Sequence, residues 1–162
     1  MVTPAPTPEA LLLPFLTFRL GQQSYALPIA QVIEVAAMVE LVTVANAPAA
    51  LLGVANRHGS VLPILDLRLV FGQPASPVTD STLFVVAAVG TRQAGLVVDE
   101  VYQVAYFDAQ QLAASPVSEK YVEGILTYRD QLIQIVALPA LLASFLPEGA
   151  AEHGYSESES AP

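Results

Sequence analysis

Apolar positions along this chain come in short runs broken by Gly, Pro, Asn and Asp: "FLTFRLG", "SYALPI", "VIEVAAMVELVTV", "SVLPILDL", "TLFVVAAVG", "QAGLVVDEVYQV", "GILTY" and "QLIQIVAL". They are rich in Val, Ile, Leu and aromatics, have the length of strands, and are separated by turn residues. That pattern predicts an all-β barrel or sandwich. Helix is a minor component. Its best candidates are "APAALLGVA" over 47–55 and "LPALLASFL" over 138–146, the second with Pro139 at a tolerated first-turn position. Residues 1–14 alternate Pro with small residues and read as an extended, poorly ordered lead-in. Residues 148–162 are rich in Ser, Glu and Gly and read as a flexible acidic tail.

The runs repeat. With an offset of 69, "LTFRLGQQSYALPIAQVIEV" (16–35) lies over "VVAAVGTRQAGLVVDEVYQV" (85–104), matching Gly21 to Gly90, Leu27 to Leu96, Val32 to Val101 and Val35 to Val104. With an offset of 71, "GVANRHGSVLPILDL" (53–67) lies over "GILTYRDQLIQIVAL" (124–138), matching Gly53 to Gly124, Ile64 to Ile135 and Leu67 to Leu138. Two segments in the same order at nearly the same offset indicate a duplicated unit of about 70 residues. The expectation is two similar small barrels in tandem, sharing an apolar seam, with the boundary near "GQPASPVTDS" at 72–81.

Composition narrows the function classes. The chain has 162 residues, 54% hydrophobic and 13% charged, so it is about one domain in size and hydrophobic enough to fold. No apolar stretch reaches the ~18 residues that span a bilayer. The nearest, Leu41 to Ala55, is broken by Thr43, Asn46 and Pro48. No basic region precedes Leu11-Leu12-Leu13, and Pro14 follows at once, so no secretory signal is expected and the location reads as cytoplasmic. With a formal net charge of -9 and no basic run, the chain lacks the phosphate-neutralising footprint of a nucleic-acid binder.

Catalytic chemistry is hard to assemble from these residues. There is no cysteine, and the two histidines, His58 and His153, are far apart, so neither a thiolate nucleophile nor a zinc site is expected. No nucleophile elbow, phosphate loop or dinucleotide fingerprint occurs. Lys120 shows no sign of an activating apolar pocket. A carboxylate pair drawn from Glu34, Asp66, Asp99 and Glu123 remains a formal possibility, but Asp66 and Asp99 follow apolar strands and read as turn or capping residues. The residues favour a binding module with no cofactor and no catalytic residue.

Several ordered blocks, "FRLGQQSYALPIAQVIEV", "PAALLGVANRHGSVLPILDLRLVFG" and "AGLVVDEVYQV", resemble the CheW family, the adaptors of bacterial chemosensory arrays. The resemblance covers residues 15–147. It implies two tandem SH3-like five-stranded β-barrel subdomains around a shared hydrophobic core, approximately 15–80 and 81–147, with strand exchange between them allowed. It also implies a non-enzymatic scaffold linking the cytoplasmic tips of methyl-accepting chemoreceptors to a CheA-type histidine kinase. Such a scaffold is a monomer in isolation and assembles in arrays, without membrane insertion.

Carried over position by position, the receptor-binding groove of the family falls on Val32 and Glu34 in the first unit and on Val101 and Val104 in the second, with Gly53 and Gly124 on the same surface. In physical terms this is a cleft for an amphipathic helical hairpin, with Glu34 as a polar edge. The chain departs from the family at one turn. Where the family reads Asn-x-Arg-Gly, this sequence reads Asn56-Arg57-His58-Gly59. In an extended segment a shift of one residue sends a side chain to the opposite face. The expectation is therefore that Asn56, Arg57, His58 and Gly59 form a partner-contact turn in which His58 takes the arginine's place opposite Glu34, with Arg57 the alternative carrier of the charge. Ala137, where the family often carries Asp, is a second departure. Both leave open a diverged CheW-like regulator that binds one partner or serves a non-flagellar pathway such as twitching motility.

Overall fold

The unbroken apolar runs become strands buried on both faces, and the alternating ones become sheet edges. The computed structural model describes residues 12–116 and 119–146. In chain order the strands are β1 (Leu12–Leu20), β2 (Gln23–Pro28), β3 (Val32–Ala37), β4 (Leu51–Arg57), β5 (Ser60–Asp66), β6 (Leu83–Val89), β7 (Arg92–Val98), β8 (Glu100–Asp108), β9 (Leu112–Ala113), β10 (Val122–Tyr128) and β11 (Gln131–Val136). Two short helices, α1 (Leu67–Val70) and α2 (Leu138–Phe145), follow β5 and β11. The strands form two sheets, β8-β1-β2-β11-β10-β9 and β3-β6-β7-β5-β4, called here the β8 sheet and the β3 sheet.

The two sheets correspond strand by strand under the offsets of the repeat. Leu16 pairs with Val104 in one, and the matching Val85 pairs with Val35 in the other. Ile135 pairs with Ala26 in parallel, as Ile64 does with Gly95. Even the short β9 has a counterpart: Ala113 opposes Ile125 as Val42 opposes Val54. The hairpin β1–β2 nevertheless lies in the sheet built from the later strands, and β6–β7 in the sheet built from the earlier ones. Residues 72–81 thus join β5 and α1 to β6 within the β3 sheet.

Alternation explains how one strand serves two cores. In β1, Leu16, Phe18 and Leu20 enter the shared core between the sheets, while Phe15 enters the core of the β8 sheet with Phe107 and Leu126. In β6, Val85 and Ala87 face the shared core, while Phe84 and Val86 face that of the β3 sheet. A strand buried on both faces shows no polar alternation, which is why "TLFVVAAVG" reads as continuous. Leu138, Leu141 and Leu142 of α2 also enter the shared core.

Three local expectations are corrected. Residues 12–14 belong to β1, where Leu12, Leu13 and Pro14 pair with Asp108, Phe107 and Tyr106, so the lead-in does not extend to 14. The stretch 47–55 is not helical: it turns and enters β4, because pairing of Leu51 to Ala55 with β5 overrides the local Ala and Leu preference. Of the long run at 32–44 only Val32–Ala37 is strand. The helix expected over 138–146 is α2. Residues 1–11 and 147–162, which hold most of the expected lead-in and the whole expected tail, lie outside the described residues.

Candidate partner-binding surface

The sequence points to two edge strands, β3 and β8, and their geometry is parallel. Each begins on the shared core: Val32 and Val101 are half-buried and pack against the same cluster. Each pairs on one side only, β3 with β6 and β8 with β1. Farther along, each exposes apolar side chains. Val35 and Val104, matched by the repeat, are each 40% exposed, flanked by exposed Ile33 on β3 and by exposed Tyr102 and Tyr106 on β8. The outward aromatics and Ile33 were missed from the sequence; period-two spacing around Val35 and Val104 was the available signal.

Gly53 and Gly124 do not line this surface. Both are buried, each beside a register shift in its strand. A Cβ on Gly53 would lie 2.6 Å from the Val42 carbonyl oxygen; on Gly124 it would lie 3.1 Å from Leu112 Cδ1 and 3.2 Å from the Ala113 oxygen. Both glycines admit a close edge segment, so their role is backbone approach.

The Asn56-Arg57-His58-Gly59 turn corrects the sequence reading. Arg57 pairs with Glu34: Nη2 and Nε donate to Oε2 at 2.8 and 3.0 Å. Its guanidinium carbon also sits 5.7 Å from the centre of the Phe84 ring. His58 Nε2 is 3.5 Å from the same oxygen and its side chain is 77% exposed. The shift argument fails because the strand does not continue through His58. β4 ends at Arg57, and His58 and Gly59, at φ +53° and +81°, form the two-residue turn of the β4–β5 hairpin. Arg57 holds the Glu34 carboxyl below its ordinary value through this hydrogen bond. Because β3 and β4 are the two edges of one sheet, the pair also closes that sheet on itself. Asn56 is exposed on the same hairpin.

The four candidate carboxylates do not assemble a catalytic pair. Asp66 caps α1 through the Arg68 N–H, and both Asp66 and Asp99 accept from the Arg68 guanidinium. Both carboxylates are committed to a permanent cation and to backbone N–H donors. Glu123 stands apart, at a shallow pocket of about 440 Å³ lined also by Phe15, Pro28, Leu112 and Ile135, and burial pushes its carboxyl up. Among the described residues no three His, Cys, Asp or Glu side chains gather where a metal would be held. No helix among them is long and apolar enough to cross a membrane.

Comparison with known proteins agrees with this architecture. Residues 14–145 match the family model of the CheW-like domain. The chain is 31% identical over 135 residues to the chemotaxis protein CheW of Klebsiella aerogenes, covering 80% of this chain and 81% of that protein. It is 30% identical over 141 residues to a probable chemotaxis protein CheW of Rhizobium etli, covering 83% and 90%. Among solved structures, the scaffolding protein TtCheW of Thermoanaerobacter tengcongensis superposes with a TM-score of 0.73 at 26% identity, covering 78% of this chain and 89% of that one. With two SH3-like sheets around one shared core and this match over most of its length, the chain belongs to the CheW family, the scaffold and adaptor proteins of chemotaxis.

Proposed function

We propose that this protein couples the cytoplasmic tips of chemoreceptors to a CheA-type histidine kinase, as a cytoplasmic, non-enzymatic scaffold that is monomeric alone and assembled in arrays. The observation that carries this reading is the matched apolar edge on both units. Val32 and Val101 are rooted in the shared core, and Val35 and Val104 are exposed beside them. An amphipathic helical hairpin offers the complementary surface: an apolar stripe for the valines, and polar residues for Glu34 at the margin. The Arg57–Glu34 pair supports engagement of both partners, because it supplies the permanent cation that the displaced arginine threatened to remove.

The test is capture by a receptor cytoplasmic fragment and by the kinase regulatory domain, each alone and then together. Wild type is expected to bind each and to join the two in one complex. Val32→Asp, Val101→Asp and Val104→Asp are expected to weaken receptor binding by ten-fold or more, and kinase binding less, because each puts a charge into a desolvated apolar contact. Thermal unfolding establishes first that each variant is folded. Folded variants that bind receptor normally would exclude these valines from the interface. Binding of one partner alone by wild type would make the chain a single-partner regulator.

A further inference from the structure

The chain passes between its two sheets at two places that the repeat relates. One is Asp99, the single residue between β7 of the β3 sheet and β8 of the β8 sheet. The other is the 3₁₀ turn Ile29–Gln31, between β2 and β3. The offset of 69 sets Ala30 against Asp99. The two crossings are held very differently.

At the first, one carboxylate ties both sheets. Asp99 Oδ2 accepts from the Gly21 N–H at 2.7 Å, in the β1–β2 turn of the β8 sheet. Its Oδ1 accepts from Arg68 Nη1 at 3.0 Å, on the helix that follows β5 of the β3 sheet. The Asp99 N–H donates to the Arg19 carbonyl at 3.0 Å. Arg68 is 2% exposed and is itself fixed: Nε and Nη2 fork onto Asp66 at 2.9 and 3.1 Å, and Nη1 also donates to Ser76 Oγ at 3.2 Å. At the second crossing none of Ile29, Ala30 and Gln31 is charged, and the buried Gln31 Oε1 accepts no hydrogen bond among the described residues.

A buried ion pair adds little net stability over an apolar core of the same shape. The second unit illustrates this, since it builds the same strand arrangement with Ala137 and Pro139 where the first has Asp66 and Arg68. What directed, forked bonds do supply is a fixed orientation. We propose that Asp99 and Arg68 are positioning residues: they fix the angle at which β8 leaves β7, and so set the edge strand β8 relative to β3. In consequence the two apolar edges are held at one spacing from the β8 side, while the Ile29–Gln31 crossing follows. The binding consequence rests on the proposed receptor surface; the orientation itself does not.

Asp99→Asn tests this. It retains an acceptor for the Gly21 N–H and presents an amide where Arg68 needs a carboxylate oxygen. Residual dipolar couplings are expected to fit each sheet as in wild type but to require a changed or averaged angle between the sheets. Affinity for the receptor fragment is expected to fall about ten-fold, the size of one charge-assisted hydrogen bond. Ile64→Val, a loss of packing inside one sheet, is expected to leave the angle and the affinity unchanged, whereas a merely stabilising role of Asp99 would make the two variants behave alike. Arg68→Lys, which keeps the cation but not the fork, provides a second folded variant with the same expected change of angle. An angle unchanged in a folded variant, or equally changed in Ile64→Val, would overturn the proposal. So would failure of both network variants to fold, since the network would then be required for folding itself. If wild type fails to bind the receptor fragment, the proposed function fails, and the couplings still decide the role of Asp99.

Discussion

In the β3 sheet the two edges meet through Glu34 and Arg57; in the β8 sheet the matching positions are Gln103 and Tyr128, and Tyr128 of β10 meets Phe107 of β8 instead, their rings crossing edge to face at 5.5 Å. A second pair of matched positions differs in the same spirit. Leu41 and Leu52 pack into the core of the β3 sheet. Their counterparts are Leu112 and Glu123, which border the 440 Å³ pocket of the β8 sheet. The unit with the filled interior carries the ion pair at its rim, and the unit with the open pocket carries aromatics there. Duplicated backbones thus diverge where side chains meet solvent, while the positions facing the shared core stay apolar in both. A fold supported from one common core tolerates such divergence, because neither unit stands alone.

The largest expected break in this symmetry concerns the matched glycines. Gly53 sits at φ +154°, and a Cβ there would meet the backbone oxygen of Val42 at 2.6 Å. Backbone cannot retreat as a side chain does, so Gly53→Ala is expected to cost about 2–4 kcal/mol in urea unfolding. At Gly124 the nearest atom is the movable Cδ1 of Leu112 at 3.1 Å, though the Ala113 oxygen is close behind at 3.2 Å. Gly124→Ala is expected to cost about 1 kcal/mol. Equal losses would show that the two edge segments are held with equal stiffness, and the structural difference between Val42 and β9 would carry no energetic weight.

These glycines also show what the sequence conveys. Their match at offset 71 was visible in the letters, because a close segment leaves little room for a side chain at either position. The same self-comparison set β1, β2 and β3 against β6, β7 and β8, and β4 and β5 against β10 and β11, but left β9 without a counterpart. It could not say which copy of the β1–β2 hairpin joins which sheet, because the deciding pairings, β2 with β11 and β5 with β7, are parallel and distant in sequence. Arg57 was misplaced for a more local reason. Period-two reasoning needs an extended chain, and His58 leaves the extended region one residue too soon. Asp66 and Asp99 were legible as turn and cap residues, but their meeting on Arg68 depends on tertiary approach across 31 residues.

A smaller effect is expected from making the second interior resemble the first. Glu123→Leu reproduces Leu52 and removes a carboxyl that burial pushes above its ordinary value of 4.5. A raised carboxyl pKa means that the folded state disfavours the charge, so wild type gives up stability as pH rises from 4.5 through the folded value. Glu123→Leu is therefore expected to be slightly more stable at neutral pH, with the gain limited because the position is exposed and screened by water. The charge-related part of the gain is expected to vanish below 4.5, which Glu123→Gln isolates. A loss of stability at neutral pH would mean that Glu123 makes a favourable contact at the pocket that outweighs its desolvation.

The smallest expected effect separates the two rims by their response to acid. Arg57 lowers the Glu34 pKa below 4.5. A carboxylate with a lower pKa in the folded than in the unfolded state adds stability above the unfolded value and loses it as pH falls through the folded one. The gap in thermal midpoint between wild type and Glu34→Gln is therefore expected to be full at neutral pH and to close as pH drops below 4.5. It should be modest, since a half-buried pair at the surface is partly screened by water and salt. Arg57→Ala should remove most of the dependence, because the Arg57 hydrogen bond is its largest cause, with a remainder from His58. His58→Ala should leave most of it, since His58 is the more distant partner at 3.5 Å. Phe107→Leu, at the aromatic rim, should lower the midpoint by an amount that does not vary over the same range, because the contact is between rings and carries no carboxylate. Thermal melts of these four variants from about pH 7 to the acid side of 4.5 measure all of this at once. A dependence removed by His58→Ala but not by Arg57→Ala would return the arginine's place to the histidine and undo the assignment made from the hairpin turn.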